Sequence, residues 1–582
     1  MSKWDRINLT ALTLGIVALF MERASPSPAL AASLHVLDFG ILALLYWSEV
    51  GEIRQSSYRW NYARKHWPSL AFLAGFTALF LYSKYMSIMV RTPSEIGWLA
   101  PAIRNIFLVL KVFGRFKKLY VLFERLSSKP AQTVIVSFML VILAGALVLM
   151  VPPASTNGKG LSFVEALFTA TSAVCVTGLV VVDTAVDFSL LGQATILLLI
   201  QIGGLGIMLF SFFVMIALRK RLSLKDRLTV SYMLSEDDMT GLSRSLRTIV
   251  LATLGIEGAG ALLLFVRFTA LGYGAGKASF YAAFHSVSAF CNAGFALYSD
   301  SLESFSRDPW ILLVVAALIT LGGISFGVMR DLRSWLGQTA SGFFFRVRRG
   351  SGWKTRPRAK TMSQNTFAVA TVSGALVLAG FCGVYLLEHE GAMSGMGLGE
   401  QYLGALFQSV TLRTAGFNSI SFGGLKDATL FFMIFFMFTG GASGSTAGGI
   451  KVNSLAAIGS YLRSFLRQEK NTRIGNFSVS GDKVGKAFLI LIFGLAAVFG
   501  GSLLLSLTED RPFLQLLFEA TSAFGTVGLS AGITPGLSTP GRLLVIMLMF
   551  MGRLGPLTIL TAASKGTPRG ALEYPQGDLA IG

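Results

Sequence analysis

The chain of 582 residues is 53% hydrophobic, only 14% charged, and carries a net charge of +20. Soluble proteins have about a quarter of their residues charged, so this composition excludes an ordinary soluble protein. Apolar runs of roughly 20 residues, long enough to span a bilayer as helices, recur along the chain. Three cysteines and four histidines without paired or clustered spacing argue against a disulfide framework and a zinc site.

Residues 1–130 form the first predicted unit, a helical membrane block of three or four helices. Its apolar segments lie near 8–21, 30–50, 67–90 and 102–125. The first segment follows Lys3 and Arg6, as in a signal peptide, but an acidic–basic pair and two prolines separate it from any cleavage site. We therefore predict an uncleaved helix there.

The segment 102–125 is distinguished by basic residues that share one helical face. They are Arg104, Lys111, Arg115, Lys118 and Arg125. A basic stripe opposite apolar residues is compatible with an amphipathic helix on the inner membrane surface. It is also compatible with a helix that moves in the transmembrane field, although voltage sensors carry charge more densely. Both interpretations stay open.

From residue 131 onward, one phrase occurs four times: a Phe, a stretch rich in Ala, Ser and Thr, and a Gly. The glycines are Gly178, Gly294, Gly416 and Gly528, separated by 116, 122 and 112 residues. Such even repetition indicates repeated structural units. We predict four units, at about 131–242, 243–362, 363–482 and 483–565, followed by a short cytoplasmic tail to residue 582. Each unit contains an outer helix, a short helix, a loop and an inner helix.

Each phrase predicts a short helix that stops before exposed backbone, because Gly permits backbone angles that other residues resist. Non-helical backbone at membrane depth is tolerated only where it is buried in protein or lines a water-filled cavity. Four such loops around one axis can present carbonyl oxygens to a dehydrated ion. The predicted fold is an all-α polytopic membrane protein with four pseudo-symmetric helix–pore helix–helix repeats around a central pore.

The charge distribution predicts the orientation of these units. Lys and Arg concentrate near 219–247, 330–360 and 451–483, whereas the side that carries the loops has few basic residues and many acidic ones. The positive-inside rule therefore places the loops on the outer side. The rule explains the net charge without nucleic acid as a partner, and it leaves a basic inner face suited to an acidic partner.

The phrases Thr-Ser-Ala-x-x-x-x-Gly-Leu, Ser-Ala-Phe-x-Asn-Ala-Gly-Phe, Arg-Thr-Ala-Gly-Phe-Asn and Gly-Thr-Val-Gly-Leu-Ser resemble the Trk/Ktr/HKT superfamily of potassium transporters. The resemblance is strongest to the bacterial Ktr-type membrane subunit and runs from about 131 to 563. It implies a K⁺ selectivity filter made of four loop segments. Loop segments 1 to 4 are Val176, Thr177 and Gly178; Asn292, Ala293 and Gly294; Thr414, Ala415 and Gly416; and Thr526, Val527 and Gly528.

The first filter glycine bears on ion selectivity within this superfamily. In its plant branch, Ser in place of that Gly accompanies sodium permeation. The chain keeps Gly178 at this position, which favours potassium.

A second motif, Gly440–Gly449, interrupts the inner helix of the third unit, since a run so rich in Gly and Ser is a poor helix. It lacks the strand context and Gly-Lys-Ser/Thr ending of a phosphate-binding loop. A plain helix kink is the simpler interpretation, but the resemblance implies a gate loop across the permeation path. The gate residues are Gly440, Gly441, Ser443, Gly444, Ser445, Thr446, Gly448, Gly449 and, from the last helix, Arg553.

Three charged residues are predicted at membrane depth. An arginine there costs at least ~2.5 kcal/mol, so Arg553 should face a cavity or a partner. The resemblance implies that Arg553 adds positive charge to the pore, and a structural ion pair is compatible with that role. We expect Arg413 to point away from the pore and pair with an acidic group. Glu257 is a candidate partner of either arginine or of neither, and we interpret both Arg413 and Glu257 as structural.

The resulting hypothesis is channel-like K⁺ uptake across the inner membrane by a multi-pass protein, with sodium as a second ion in some relatives. No covalent cofactor is expected, and the chain shows no nucleotide site. The resemblance implies a homodimer in the lipid bilayer and a cytosolic ring of nucleotide-binding regulatory subunits.

Two other functions are alternatives to K⁺ uptake. A voltage-gated or sodium-permeable cation channel would use the 102–125 helix as its sensor. An enzyme is disfavoured because the sequence offers no nucleophile–base or metal constellation at membrane depth; His285 lies near Cys291 but lacks an orienting third group.

Overall fold

The computed structural model describes residues 130–206, 242–335, 362–475 and 477–564, with a few single positions between 40 and 77. Predictions for the N-terminal block, including the 102–125 helix, fall outside the described residues apart from those single positions. Most of the predicted basic inner loops also fall outside them.

The described chain is almost entirely helical, which confirms the predicted all-α class. In chain order the helices are α1 Pro130–Leu149, α2 Phe163–Cys175, α3 Leu190–Leu205, α4 Leu242–Ala270, α5 Ala275–Phe290, α6 Pro309–Gly323, α7 Phe326–Trp335, α8 Gln364–Glu388, α9 Leu398–Thr411, α10 Asp427–Phe438, α11 Val452–Leu466, α12 Gly481–Thr508, α13 Phe513–Gly525, α14 Thr539–Leu554 and α15 Pro556–Ala563. Strands β1 (Arg473–Ile474) and β2 (Phe477–Ser478) pair as a short antiparallel hairpin between α11 and α12.

Among the described residues, three helices are long and apolar enough to cross a bilayer unaided: Thr248–Ala270 within α4, α8 and α12. Two bent pairs, α6 with α7 and α14 with α15, raise the number to five if each pair counts as one span. The long helices expose large apolar side chains, with Leu262 63%, Leu378 64% and Leu507 76% accessible. A surface of this kind fits a lipid environment better than water.

Helices α2, α5, α9 and α13 form an inner layer and coincide with the four repeated phrases. The 13 residues of α2 extend only about 20 Å, too short for a hydrocarbon core of about 30 Å. Every residue of α2 from Phe168 to Cys175 is buried, as is every residue of α13 from Leu516 to Gly525. These short helices therefore lie inside the protein with longer helices around them.

The inner helices of the second and fourth units are each bent into two parts. The α6–α7 pair bends by 107° and the α14–α15 pair by 93°. At the second bend Gly555 has a φ of 79°, and Pro556 then starts α15 at a position where its missing N–H costs nothing.

Three inner helices carry a glycine that packs directly against the end of the short helix before it. A Cβ added to Gly203 would lie 2.0 Å from Val174 O. One added to Gly322 would lie 1.8 Å from Phe290 O, and one added to Gly552 would lie 1.8 Å from Phe524 O. No side chain fits at such distances. These contacts fix where each short helix ends, and so where each loop segment begins.

We expect Gly322→Ala to destabilise the protein by about 1–3 kcal/mol, because the new methyl group must push α6 away from α5. Thermal unfolding of the detergent-solubilised protein measures this effect. Gly500→Ala is a matched control, since an added Cβ at this helical position meets no atom within 4 Å and alanine favours helix. If Gly322→Ala melted at or above the temperature of Gly500→Ala, the packing argument would be wrong.

Candidate functional site

The four loop segments lie together in a closed ring. Each loop glycine approaches the carbonyl oxygen of the middle residue in the next segment. A Cβ added to Gly178 would lie 2.5 Å from Ala293 O, and one added to Gly294 would lie 2.8 Å from Ala415 O. A Cβ added to Gly416 would lie 2.5 Å from Val527 O, and one added to Gly528 would lie 2.1 Å from Thr177 O. Segment 1 therefore contacts segment 2, and the series continues until segment 4 contacts segment 1.

The backbone within each segment has the same unusual pattern. The first and third residues have positive φ: 57° and 95° in segment 1, 59° and 70° in segment 2, 70° and 76° in segment 3, and 51° and 93° in segment 4. The third residue is always Gly, but the first is Val176, Asn292, Thr414 or Thr526. Positive φ in a non-glycine residue costs of order 1–3 kcal/mol and is retained where the surrounding structure imposes it.

The amide groups of the segments turn away from the ring. The N–H of each middle residue donates to a carbonyl near the end of the preceding short helix: Thr177 to Ser172 at 2.8 Å, Ala293 to Ser288 at 2.7 Å, Ala415 to Thr411 at 3.0 Å and Val527 to Ser522 at 2.8 Å. In two segments the glycine N–H also donates to a serine Oγ, from Gly178 to Ser172 at 3.0 Å and from Gly528 to Ser522 at 3.1 Å. The middle-residue donors are thus paired behind the ring, while the middle-residue carbonyl oxygens lie within it.

A cavity of about 450 Å³ opens on the glycine side of the ring. Its lining includes all four loop glycines and four acidic residues: Asp183, Asp187, Asp300 and Glu303. Burial raises the pKa of Glu303 above its usual value, the Asp300 carboxylate raises it further, and a hydrogen bond from Asn418 opposes both effects. A concave surface with this charge raises the local concentration of cations.

The Gly440–Gly449 loop lies on the other side of the ring. An added Cβ on Gly448 would lie 2.1 Å from Thr526 Oγ1, and one on Gly440 would lie 3.4 Å from Thr414 Cγ2. Thr414 and Thr526 are the first residues of their segments, whereas the cavity is lined by the third residues. The loop therefore lies opposite the acidic cavity, directly against segments 3 and 4.

The same loop is held by the second unit and by its own flanks. Ala442 N–H donates to Gly323 O at 3.0 Å, and Thr446 Oγ1 donates to Gly322 O at 2.9 Å. Gly440 N–H donates to Ile450 O at 2.8 Å, which closes the base of the loop. Helix α10 ends at Phe438 and α11 begins at Val452, so the interruption predicted from the Gly- and Ser-rich composition is observed.

Arg553 joins this loop to the first unit. Its guanidinium donates from one terminal nitrogen to the carbonyl of Thr446 and from the other to the carbonyl of Gly203. Within the described part of the chain, no carboxylate forms an ion pair with Arg553. Its positive charge is thus held by backbone oxygens beneath the ring.

Glu257 pairs with neither arginine. Both of its carboxylate oxygens accept from Gln201 Nε2 at 3.2 Å, and the Cys291 thiol lies 3.7 Å away. The expected acidic partner of Arg413 is not found in the described segments, where its Nε has no hydrogen-bond partner. The prediction of an ion pair at Arg413 is therefore wrong for the residues that the structure describes.

Sequence reasoning missed Gly203, Gly322 and Gly552 of the inner helices and named Gly440 only as a gate residue. Gly203, Gly322, Gly440 and Gly552 follow the four loop glycines by 25, 28, 24 and 24 residues. This second periodic signal was available in the sequence. In the third unit Gly440 contacts the far end of its own loop and not the end of a short helix, since an added Cβ on Gly440 would lie 2.0 Å from Gly448 O.

Comparison with known proteins places the chain in a family. Residues 100–574 match the TrkH family, described as a cation transport protein. The chain is 38% identical over 455 residues to Ktr system potassium uptake protein B of Bacillus subtilis, with 78% of this chain and 97% of the relative covered. It is 33% identical over 466 residues to the potassium/sodium uptake protein NtpJ of Enterococcus hirae, with 79% and 98% covered.

A solved structure shares the fold. The crystal structure of the potassium transporter TrkH from Vibrio parahaemolyticus superposes with a TM-score of 0.61, at 18% identity, over 85% of this chain and 97% of that chain. The matching family is one of cation transport proteins and not of enzymes. The chain is a multi-pass membrane protein and belongs to the TrkH family of cation transport proteins.

Proposed function

We propose that this protein takes up K⁺ through a pore whose selectivity filter is the ring of four loop segments. The observation that carries this proposal is the division of backbone groups in the middle residues: their amides are paired behind the ring and their carbonyls lie inside it. An alkali cation that sheds its water requires such neutral oxygen ligands. The acidic cavity supplies cations to one end of the ring.

Two observations favour potassium as the transported ion: the names of the relatives and the glycines of the four loop segments. The Bacillus subtilis relative is named a potassium uptake protein, and the Enterococcus hirae relative a potassium/sodium uptake protein. The chain keeps Gly in all four segments. Potassium is therefore the first ion to test and sodium the second.

We further propose that the Gly440–Gly449 loop is a gate. The loop crosses beneath the ring, and Arg553 holds it to α3 through two carbonyl groups. A guanidinium in this position is also an electrostatic barrier to a cation that leaves the ring. Opening requires the loop to give up the hydrogen bond from Arg553.

The relatives also bear on partners and on the division of the chain. The Bacillus subtilis relative is named as protein B of a Ktr system, which supports a role beside other components. A homodimer and a cytosolic nucleotide-binding subunit are our proposals for this chain, as is the division into an N-terminal block and four units. The family match includes the 102–125 segment, which favours a common element of the family over an added voltage sensor.

The central test is growth of a strain that lacks potassium uptake, followed by K⁺ flux into liposomes that contain the purified protein. We expect growth at limiting K⁺ and measurable flux, because the ring provides a path for the dehydrated ion. The empty vector and protein-free liposomes are the controls. A folded, membrane-inserted protein without flux, with and without a regulatory subunit, would overturn the proposed function.

Gly178→Ser should lower the K⁺/Na⁺ flux ratio by roughly tenfold or more, since its Cβ must displace the Ala293 carbonyl, 2.5 Å away, from the ring. Gly272→Ser is the matched control, because Gly272 has a similar φ of 88° but open space around it. The control variant should lose some stability and keep the wild-type ratio. Equal K⁺/Na⁺ flux ratios in the two variants would contradict the assignment of segment 1 to the filter.

Arg553→Ala should raise the basal K⁺ leak by about tenfold, because loss of a charge-assisted hydrogen bond shifts the loop toward its open state. Deletion of Ala442–Gly448 should act in the same direction. Arg553→Lys separates charge from geometry: it keeps the charge but cannot hold two carbonyls in a fixed fork. An unchanged leak in both Arg553→Ala and the deletion would contradict the proposal that the loop is a gate.

A further inference from the structure

The polar residue behind each loop segment differs among the four units. Directly after the Phe of the repeated phrase stand Thr169, His285, Gln408 and Glu519. His285 Nε2 accepts from Leu297 N–H at 3.2 Å, three residues after Gly294. Glu519 accepts from Ser530 Oγ at 2.9 Å, two residues after Gly528, and from Thr534 Oγ1. In units two and four, the short helix thus holds the chain that leaves its own loop segment.

The first and third units have no such side-chain tie, since Thr169 Oγ1 has no hydrogen-bond partner among the described residues either. Gln408 is fully buried, and neither its Oε1 nor its Nε2 has a hydrogen-bond partner among the described residues. Segment 3 also follows a phrase that is one residue shorter than the others. Beyond the backbone hydrogen bond from Ala415 N–H to Thr411 O, it receives further support from another part of the molecule.

A turn of the second unit supplies that support through Asn418, two residues after Gly416. The Asn418 N–H donates to Ser301 Oγ at 3.2 Å, its carbonyl accepts from Leu302 N–H at 3.0 Å, and its Nδ2 donates to Glu303 Oε1 at 2.6 Å. The conformation of this turn is stabilised within the second unit: Ser301 has a φ of 58°, and Asp300 accepts a hydrogen bond from Ser304 N–H at 2.9 Å.

We propose that Glu303 is a positioning residue that sets ion selectivity by holding Asn418, and through it segment 3, from the neighbouring unit. The inference rests on the proposed filter function and extends it to a residue outside the ring. A hydrogen bond from an amide to a carboxylate is stronger than one between neutral groups, and 2.6 Å is a short distance for it. Glu303 acts on the ion through the backbone that it positions.

The positioning role is separable from the charge of Glu303. Because Glu303 also lines the acidic cavity, its charge alone concentrates K⁺ and Na⁺ alike and leaves their flux ratio unchanged. Displacement of segment 3 changes the ratio, since the spacing and number of carbonyl ligands distinguish the two ions. The K⁺/Na⁺ flux ratio is therefore the informative measurement.

The test uses a reciprocal exchange in the full-length protein in liposomes. Asn418→Asp places two carboxylates against each other and should lower the K⁺/Na⁺ flux ratio roughly tenfold. Combining it with Glu303→Gln restores an amide–carboxylate pair with the same net charge as the wild type, and should recover most of the ratio. Asp187→Asn is the control, because it removes a carboxylate from the same cavity without touching Asn418; both fluxes should fall and the ratio should stay.

If Asn418→Asp does not fold, Glu303→Ala decides instead: a lower ratio supports the positioning role and an unchanged ratio overturns it. A wild-type ratio in folded Asn418→Asp, or no recovery in the double variant, also overturns it. These outcomes presuppose K⁺ flux in the wild type. Absence of that flux would contradict the proposed function itself, so the two failures are distinguishable.

Discussion

The structure depends on one constraint: backbone without helical hydrogen bonds can lie at membrane depth only if its donors find partners elsewhere. Here the ends of α2, α5, α9 and α13 accept the amide hydrogens of the middle residues of the loop segments. The middle-residue carbonyls then remain available inside the ring. The glycines of α3, α6 and α14 let each of these inner helices approach the short helix before it without a side chain between them, so the arrangement depends on backbone contact.

The local features of this arrangement were predictable from the sequence. The repeated phrase located the four segments because Gly followed a short Ala-, Ser- and Thr-rich stretch each time. The Gly- and Ser-rich composition of Gly440–Gly449 located the break in the third inner helix. Both signals arise from neighbouring residues, where helix propensity and glycine's backbone freedom operate directly.

Features that depend on distant residues were not predictable. Glu303 and Asn418 are 115 positions apart, and Arg553 contacts carbonyl groups of residues 107 and 350 positions away. The 107° bend after Gly323 is also not recorded in the apolar composition of the segment. An acidic partner for Arg413 was expected because its charge would repel cations if it pointed inward, but that argument does not specify a partner.

The ring has one further consequence, for the length of chain that it needs. Segment 4 touches segment 1 through Gly528 and the Thr177 carbonyl, so the fourth unit completes a ring that the first unit begins. A chain that ended before Gly528 would lack the glycine that packs against the Thr177 carbonyl. Closure of the ring therefore requires all four units in one chain.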